Sequence, residues 1–248
     1  MIKELNHIGL LTTDIEASKN FYVNILGGTI IRDHKDDAGS LFVYIQLALG
    51  VIELIRVPAD NANKGFVHIA YLIDDLKSLD EYYEDLKVKG YEFTLAPKPT
   101  TAGDGRLAFF NDNSGVSFEL IERKENIRIR DLVNDHIKSF HHISINVSPN
   151  KVQECDGFYT GEMGFTKTGA FLYSIDADAI ELNQIEDPDV LAKPLSHICF
   201  HVVNCIETRE YLTNRDIRCS EIIECDGNQC FNVTGPDNER ILFQGISN

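Results

Sequence analysis

Apolar and polar residues alternate over many short stretches of the chain, which is the pattern of half-buried β-strands. Residues 105–122, GRLAFFNDNSGVSFELIE, predict two such strands, and the run 111–115 between them is rich in turn-forming residues. In the second strand Glu119 faces the same way as Ile121. A carboxylate held among apolar neighbours must be paired, neutralised or bound to a metal. For one strand alone, an edge glutamate facing solvent is an equally good interpretation.

The predicted elements occur four times in one order, namely a strand, a helix and three further strands. The first two units are predicted at 5–11, helix 14–26, 29–32, 41–47 and 51–57, then at 66–73, helix 75–89, 91–95, 106–110 and 116–121. The third and fourth units open with strands at 140–147 and 195–203, and we expect the third unit's helical region to be short and broken at Asp156-Gly157. Residues 123–139 are charged and weakly periodic, which predicts a linker with at most a short helical piece.

Composition excludes several classes of protein. The 248 residues carry a net charge of −16 without a basic face, so we expect neither nucleic acid nor a membrane as a partner. No apolar run reaches the roughly 20 residues that span a bilayer, and the first residues lack a signal-peptide pattern, so the expectation is a cytoplasmic protein. All six cysteines lie in the second half without a C-x-x-C pair, and we expect them to be unpaired core residues.

Ligand-type residues recur in register when the four units are superimposed. The first strands carry a histidine followed by isoleucine, and the last strands carry three glutamates and a glutamine. These positions are His7, His68, His142 and His197, and Glu53, Glu119, Glu181 and Gln244. A single such histidine is more often a core residue, but the fourfold register indicates a site for a divalent ion with nitrogen and oxygen ligands. Zn, Ni, Co, Mn and Fe(II) all fit that preference.

These positions, together with ASKNFYVNILGG at 17–28, HIAYLIDDL at 68–76 and the hairpin at 105–122, resemble the vicinal oxygen chelate superfamily. That superfamily includes glyoxalase I, methylmalonyl-CoA epimerase, extradiol dioxygenases and fosfomycin- and bleomycin-resistance proteins. The resemblance implies an α+β fold in which tandem βαβββ units pair into two curved, mostly antiparallel eight-stranded sheets with flanking helices. It implies modules at 1–122 and 140–248, joined by the linker 123–139.

The resemblance also implies one metal ligand from each of four strands. Adjacent pairing of the units gives His7, Glu53, His68 and Glu119 at one site and His142, Glu181, His197 and Gln244 at the other. A swapped pairing would exchange partners between the modules, and we favour adjacent pairing because sequential elements are usually neighbours in space. An amide can bind a metal but cannot act as a base, so we expect chemistry at the site with Glu119 rather than at the site with Gln244.

The implied function is that of a metal-dependent lyase or isomerase of the glyoxalase I or epimerase type. Its metal would chelate two neighbouring oxygens of a small carbonyl substrate, and Glu119 and Glu53 would move the adjacent proton. The alternatives are an Fe(II) extradiol dioxygenase and a metal-free protein that sequesters a ligand. The sequence leaves open the substrate, the metal and whether the chain forms a homo-oligomer.

Overall fold

The computed structural model describes residues 1–225 and 227–246, and the strands of its first half form one open, eight-stranded sheet. These strands are β1 (Ile2–Thr12), β2 (Thr29–Asp36), β3 (Gly39–Leu47), β4 (Gly50–Arg56), β5 (Gly65–Ile73), β6 (Phe93–Pro99), β7 (Arg106–Asn111) and β8 (Ser117–Glu122). Their order in the sheet is β2-β3-β4-β1-β5-β8-β7-β6. The first and second repeat units therefore share this sheet.

The second half repeats the arrangement. Its strands are β9 (Ser139–Val147), β10 (Thr166–Lys167), β11 (Leu172–Ile175), β12 (Asp178–Gln184), β13 (Leu195–Val202), β14 (Ile223–Cys225), β15 (Asn228–Thr234) and β16 (Arg240–Gly245). Their order is β10-β11-β12-β9-β13-β16-β15-β14. In each half the outer strands pair antiparallel, whereas β1–β4, β5–β8, β9–β12 and β13–β16 pair parallel. The predicted fold class is confirmed, and both sheets are mixed.

The compact units into which the chain packs do not coincide with its two sheets. One compact unit comprises Met1–His7, Val67–Ile127 and Ile143–Ser196, and the other comprises Ile8–Phe66, Arg128–His142 and the chain from His197 onward. Each compact unit therefore combines two repeat units from different sheets: the second with the third, and the first with the fourth. The compact units cut across the modules predicted from the sequence, 1–122 and 140–248, and the bounds of those modules stay a prediction.

A buried tyrosine–carboxylate hydrogen bond crosses the interior of each compact unit. In the first, the Tyr159 hydroxyl donates to Oδ2 of Asp112 at 2.6 Å, beside an aromatic cluster that includes Phe118 and Phe158. In the second, the Tyr22 hydroxyl donates to Oε1 of Glu239 at 2.7 Å. Each bond satisfies a carboxylate that would otherwise be costly to bury.

The helices are short. They are α1 (Ile15–Lys19), which continues as π-helical turns at Asn20–Ile25, α2 (Leu79–Val88), α3 (Val152–Gly157), α4 (Pro188–Leu191) and α5 (Cys205–Thr213). The side chain of Asp14 caps α1, because it accepts from the Ala17 N–H. The expected start of the second helix at residue 75 is wrong, since Ser78 and Glu81 form a capping box there. Leu76 consequently lies before the helix and is 85% exposed.

The expected break at Asp156-Gly157 is also wrong. A 3₁₀ turn at Pro149–Lys151, α3 and π-helical turns at Phe158–Met163 follow one another without interruption. Glycine inside a helix costs only about 1 kcal/mol. The burial of Phe158 and Tyr159 offsets that cost, since burying one large apolar side chain contributes about 1.5–3 kcal/mol.

The expectation that all six cysteines are unpaired is wrong for one pair. Cys225 and Cys230 form a disulfide across the β14–β15 hairpin, with Cα atoms 6.1 Å apart, while Cys155, Cys199, Cys205 and Cys219 form no disulfide. Residues 123–138 contain no helix or strand. Within the described residues, no helix has the length and apolar character required to cross a membrane.

Candidate metal centres

The first sheet brings together the four predicted ligands of the first site. One donor atom from each of His7, Glu53, His68 and Glu119 lies within 4.8 Å of all the others. The register explains why they meet. Glu53 pairs with the residue two after His7, and Glu119 pairs with the residue two after His68. Because side chains alternate along a strand, positions two apart face the same side of the sheet.

Three of these donors form a nearly equilateral triangle. Nε2 of His7 lies 3.1 Å from Nε2 of His68, and Oε2 of Glu119 lies 3.2 Å from each of them. Atoms at these separations, each bound at about 2.1 Å, would subtend angles of about 95–100° at a shared ion. That angle lies between octahedral and tetrahedral geometry. The donor set therefore fits one divalent ion with nitrogen and oxygen preference.

Glu119 is a buried carboxylate that keeps its charge. Burial alone would raise its pKa, but the adjacent His7 and His68, through their charge and hydrogen bonds, together hold the pKa below its ordinary value. The side chain is only 4% exposed. Glu119 is thus an anion poised between two imidazoles, as a metal-binding carboxylate must be.

A hydrogen-bonded chain orients His7, and the sequence reasoning missed it. Nδ1 of His7 lies 2.9 Å from Oδ1 of Asn6 and donates to it, so that Nε2 faces His68 and Glu119. Asn6 is fixed in turn, because Nη1 of Arg123 donates to its Oδ1 at 3.2 Å and its Nδ2 donates to Oδ1 of Asn126 at 2.9 Å. The signal in the sequence was the amide directly before a ligand histidine.

The second sheet contains a related but different group. Donor atoms of His142, Glu181 and His197 lie within 4.8 Å of one another. Glu181 pairs with Ser144, two residues after His142, which repeats the relation of Glu53 to His7. Here the Ser144 hydroxyl donates to Oε2 of Glu181 at 3.2 Å.

Gln244 occupies a different register from Glu119. It pairs with His201, four residues after His197, whereas Glu119 pairs with Ala70, two residues after His68. Gln244 is hydrogen-bonded to His201, whose pKa is lowered by burial and by the nearby His142. The structure thus places Gln244, the predicted fourth ligand, beside His201.

Two further donors lie near His142 and were not predicted as ligands. Nδ1 of His141 lies 2.9 Å from Nδ1 of His142, and the His141 ring stacks on His201. His141 precedes His142 as Asn6 precedes His7, and that correspondence was visible in the sequence. Cys199 completes a group in which the donor atoms of His141, His142 and Cys199 lie within 4.8 Å of one another.

The fold agrees with the comparisons with known proteins. The profile described as "Glyoxalase/Bleomycin resistance protein/Dioxygenase superfamily" matches residues 4–120, the part of the chain that carries the first site. The protein YaeR of Escherichia coli is 32% identical over 133 residues, which are 49% of this chain and 98% of YaeR. The chain belongs to the glyoxalase, bleomycin-resistance and dioxygenase superfamily.

Other relatives differ in the activity that their names state. The metallothiol transferase FosB of Staphylococcus saprophyticus is 28% identical over 120 residues, covering 48% of this chain and 77% of FosB. The Mn(II)-bound glyoxalase of Novosphingobium aromaticivorans superposes with a TM-score of 0.71 at 17% identity, covering 98% of this chain and 82% of that structure. At that identity the likeness shows the fold alone. Superfamily members are generally metal-dependent enzymes.

Proposed function

We propose that the chain is a metal-dependent lyase or isomerase that acts on a small molecule carrying an oxygen next to a carbonyl group. The supporting observation is the buried triangle of His7, His68 and Glu119, with sides of 3.1–3.2 Å. It lies in the segment that the superfamily profile matches. Glu53 adds a second carboxylate to the same cluster.

The residues of the first site have two proposed roles, metal binding and proton transfer. An ion held by His7, Glu53, His68 and Glu119 would act as a Lewis acid toward the two substrate oxygens. The lowered pKa of Glu119 leaves its carboxylate able to accept a proton. That proton leaves the carbon next to the carbonyl, resides on a carboxylate oxygen and returns to the substrate at a carbon. Glu53 is the second group able to carry it, and the hydrogen bond to Asn6 keeps His7 in position.

An Fe(II) extradiol dioxygenase is the second candidate function. Such enzymes hold iron through two histidines and one carboxylate and leave the remaining positions open. His7, His68 and Glu119 alone would form that triad, but Glu53 lies in the same cluster and adds a fourth protein ligand. A metal-free protein that sequesters a ligand is a weaker candidate, because it has no use for a complete ligand set.

Exchange of substrate hydrogen with deuterated water tests the proposal. The metal-loaded wild type should move deuterium into the C–H position next to the carbonyl of small hydroxycarbonyl compounds, observed by NMR. Glu119→Gln keeps the shape and a ligating oxygen but removes the base, so exchange should fall about 10²–10⁴-fold while the metal stays bound. The exposed Glu92→Gln is the matched control and should exchange at the wild-type rate. Full exchange in Glu119→Gln would refute the assignment of the base.

A further inference from the structure

The second module has a thiol at the position where the first has an imidazole. His68 pairs with the residue two before Glu119 in β8, and Cys199 pairs with the residue two before Gln244 in β16. Measured from the strand with which each residue pairs, Cys199 in β13 therefore occupies the position that His68 occupies in β5. His197 lies two residues earlier on the same strand and is shifted along the sheet by that amount. This shift is taken from the strand pairing, so it does not depend on an alignment of the first module with the second.

The side chains around Cys199 are suited to a metal. Its Sγ lies in one group with ring nitrogens of His141 and His142, all within 4.8 Å, and is 4.0 Å from Oε1 of Gln244. These four residues belong to the same compact unit. Cys199 is fully buried, His142 is 5% exposed and His141 is half-buried. The group is thus largely enclosed, and His141 is its most exposed member.

We propose that His141, His142 and Cys199 form a binding site for a zinc-type divalent ion, distinct in its donors from the first site. Two imidazoles and a thiolate are ligands that zinc prefers, and three protein ligands leave the fourth position of a tetrahedral ion open. On binding, Cys199 releases its proton to the solvent and the thiolate becomes the ligand. The first module has Asn6 and His68 at the corresponding positions and therefore offers no sulfur. The inference does not rest on the proposed function of the first site.

Sulfur coordination has a direct spectroscopic signature. The full chain with His7→Ala and His68→Ala confines the metal to the second module. Zinc bound to it should show one sulfur neighbour at about 2.3 Å together with nitrogen neighbours at about 2.0–2.1 Å in X-ray absorption spectroscopy. A first shell of nitrogen and oxygen only would overturn the proposal, and so would the absence of bound zinc. If the first site binds no metal, the spectrum expected for zinc in the second module stays the same.

Cobalt substitution with variants identifies the sulfur. In the same background Co²⁺ should produce a near-ultraviolet thiolate-to-metal charge-transfer band, which Cys199→Ser abolishes. Cys205→Ser is the matched control, because Cys205 is buried in the same compact unit and its Sγ donates to the Gln229 carbonyl at 3.2 Å. His141→Asn introduces the residue found at Asn6 and should weaken Co²⁺ binding by at least about tenfold, since even outer-shell losses cost about 10–100-fold. A band that persists in Cys199→Ser would refute the assignment.

Discussion

Glu239 should make the stability of the protein depend on pH. This carboxyl is 3% exposed, and burial raises its pKa from the ordinary 4.5 to about 7, against the opposing hydrogen bond from Tyr22. A pKa that is raised on folding means that the folded state binds the proton more tightly than the unfolded chain. The resulting stabilisation is complete below about pH 4.5 and is lost as pH rises toward 7.

The magnitude follows from the size of the shift. A rise from 4.5 to about 7 corresponds to about 3 kcal/mol, since one pKa unit is about 1.4 kcal/mol. Glu239→Gln cannot ionise and keeps both the size of the side chain and an oxygen that accepts hydrogen bonds. It should unfold with a free energy near that of the wild type at pH 4.5. At pH 8 it should be more stable than the wild type by up to about 3 kcal/mol.

Denaturant unfolding at a series of pH values between 4.5 and 8 measures this difference. Other titrating groups, including the buried Asp112, contribute equally to both proteins and cancel in the comparison. Tyr22→Phe removes a hydrogen-bond donor to the Glu239 carboxylate, so the charged form of Glu239 loses that hydrogen bond. The fall in the free energy of unfolding should therefore occur at higher pH in this variant than in the wild type. Identical pH dependence in wild type and Glu239→Gln would show that Glu239 ionises normally in the folded state.

Two further changes test the local architecture. Asn6→Ala removes the acceptor that orients His7 and should weaken metal binding at the first site by about 10–100-fold in a competition titration; unchanged affinity would show that Asn6 has no orienting role. Gly235→Ala places a Cβ where the Glu239 carboxylate lies, so the free energy of unfolding should fall by about 1–3 kcal/mol, and wild-type stability would contradict that contact.

The sequence predicted the features that depend on local periodicity. Alternation of apolar residues located most strands, and the fourfold register identified His7, Glu53, His68 and Glu119, which the structure brings together. Adjacent units do share a sheet, as expected from their proximity along the chain. These inferences succeeded because strand alternation and chain proximity are themselves physical constraints.

The features that escaped prediction depend on register and packing between distant segments. Glu119 follows His68 by 51 residues, whereas Gln244 follows His197 by only 47, and this shortening accompanies the shifted pairing that moves Gln244 to His201. The Cys225–Cys230 disulfide likewise depends on how the β14–β15 hairpin closes. The grouping of the first repeat unit with the fourth follows from packing, which no local pattern in the chain encodes.

The metal content of the purified protein tests the central claim most directly. Elemental analysis should find one divalent ion fewer per chain in the His7→Ala, His68→Ala variant than in the wild type. His34→Ala, which changes a histidine of the same sheet outside the cluster, should match the wild type. Equal metal content in the wild type and the double variant would contradict the assignment of a metal site to His7, Glu53, His68 and Glu119.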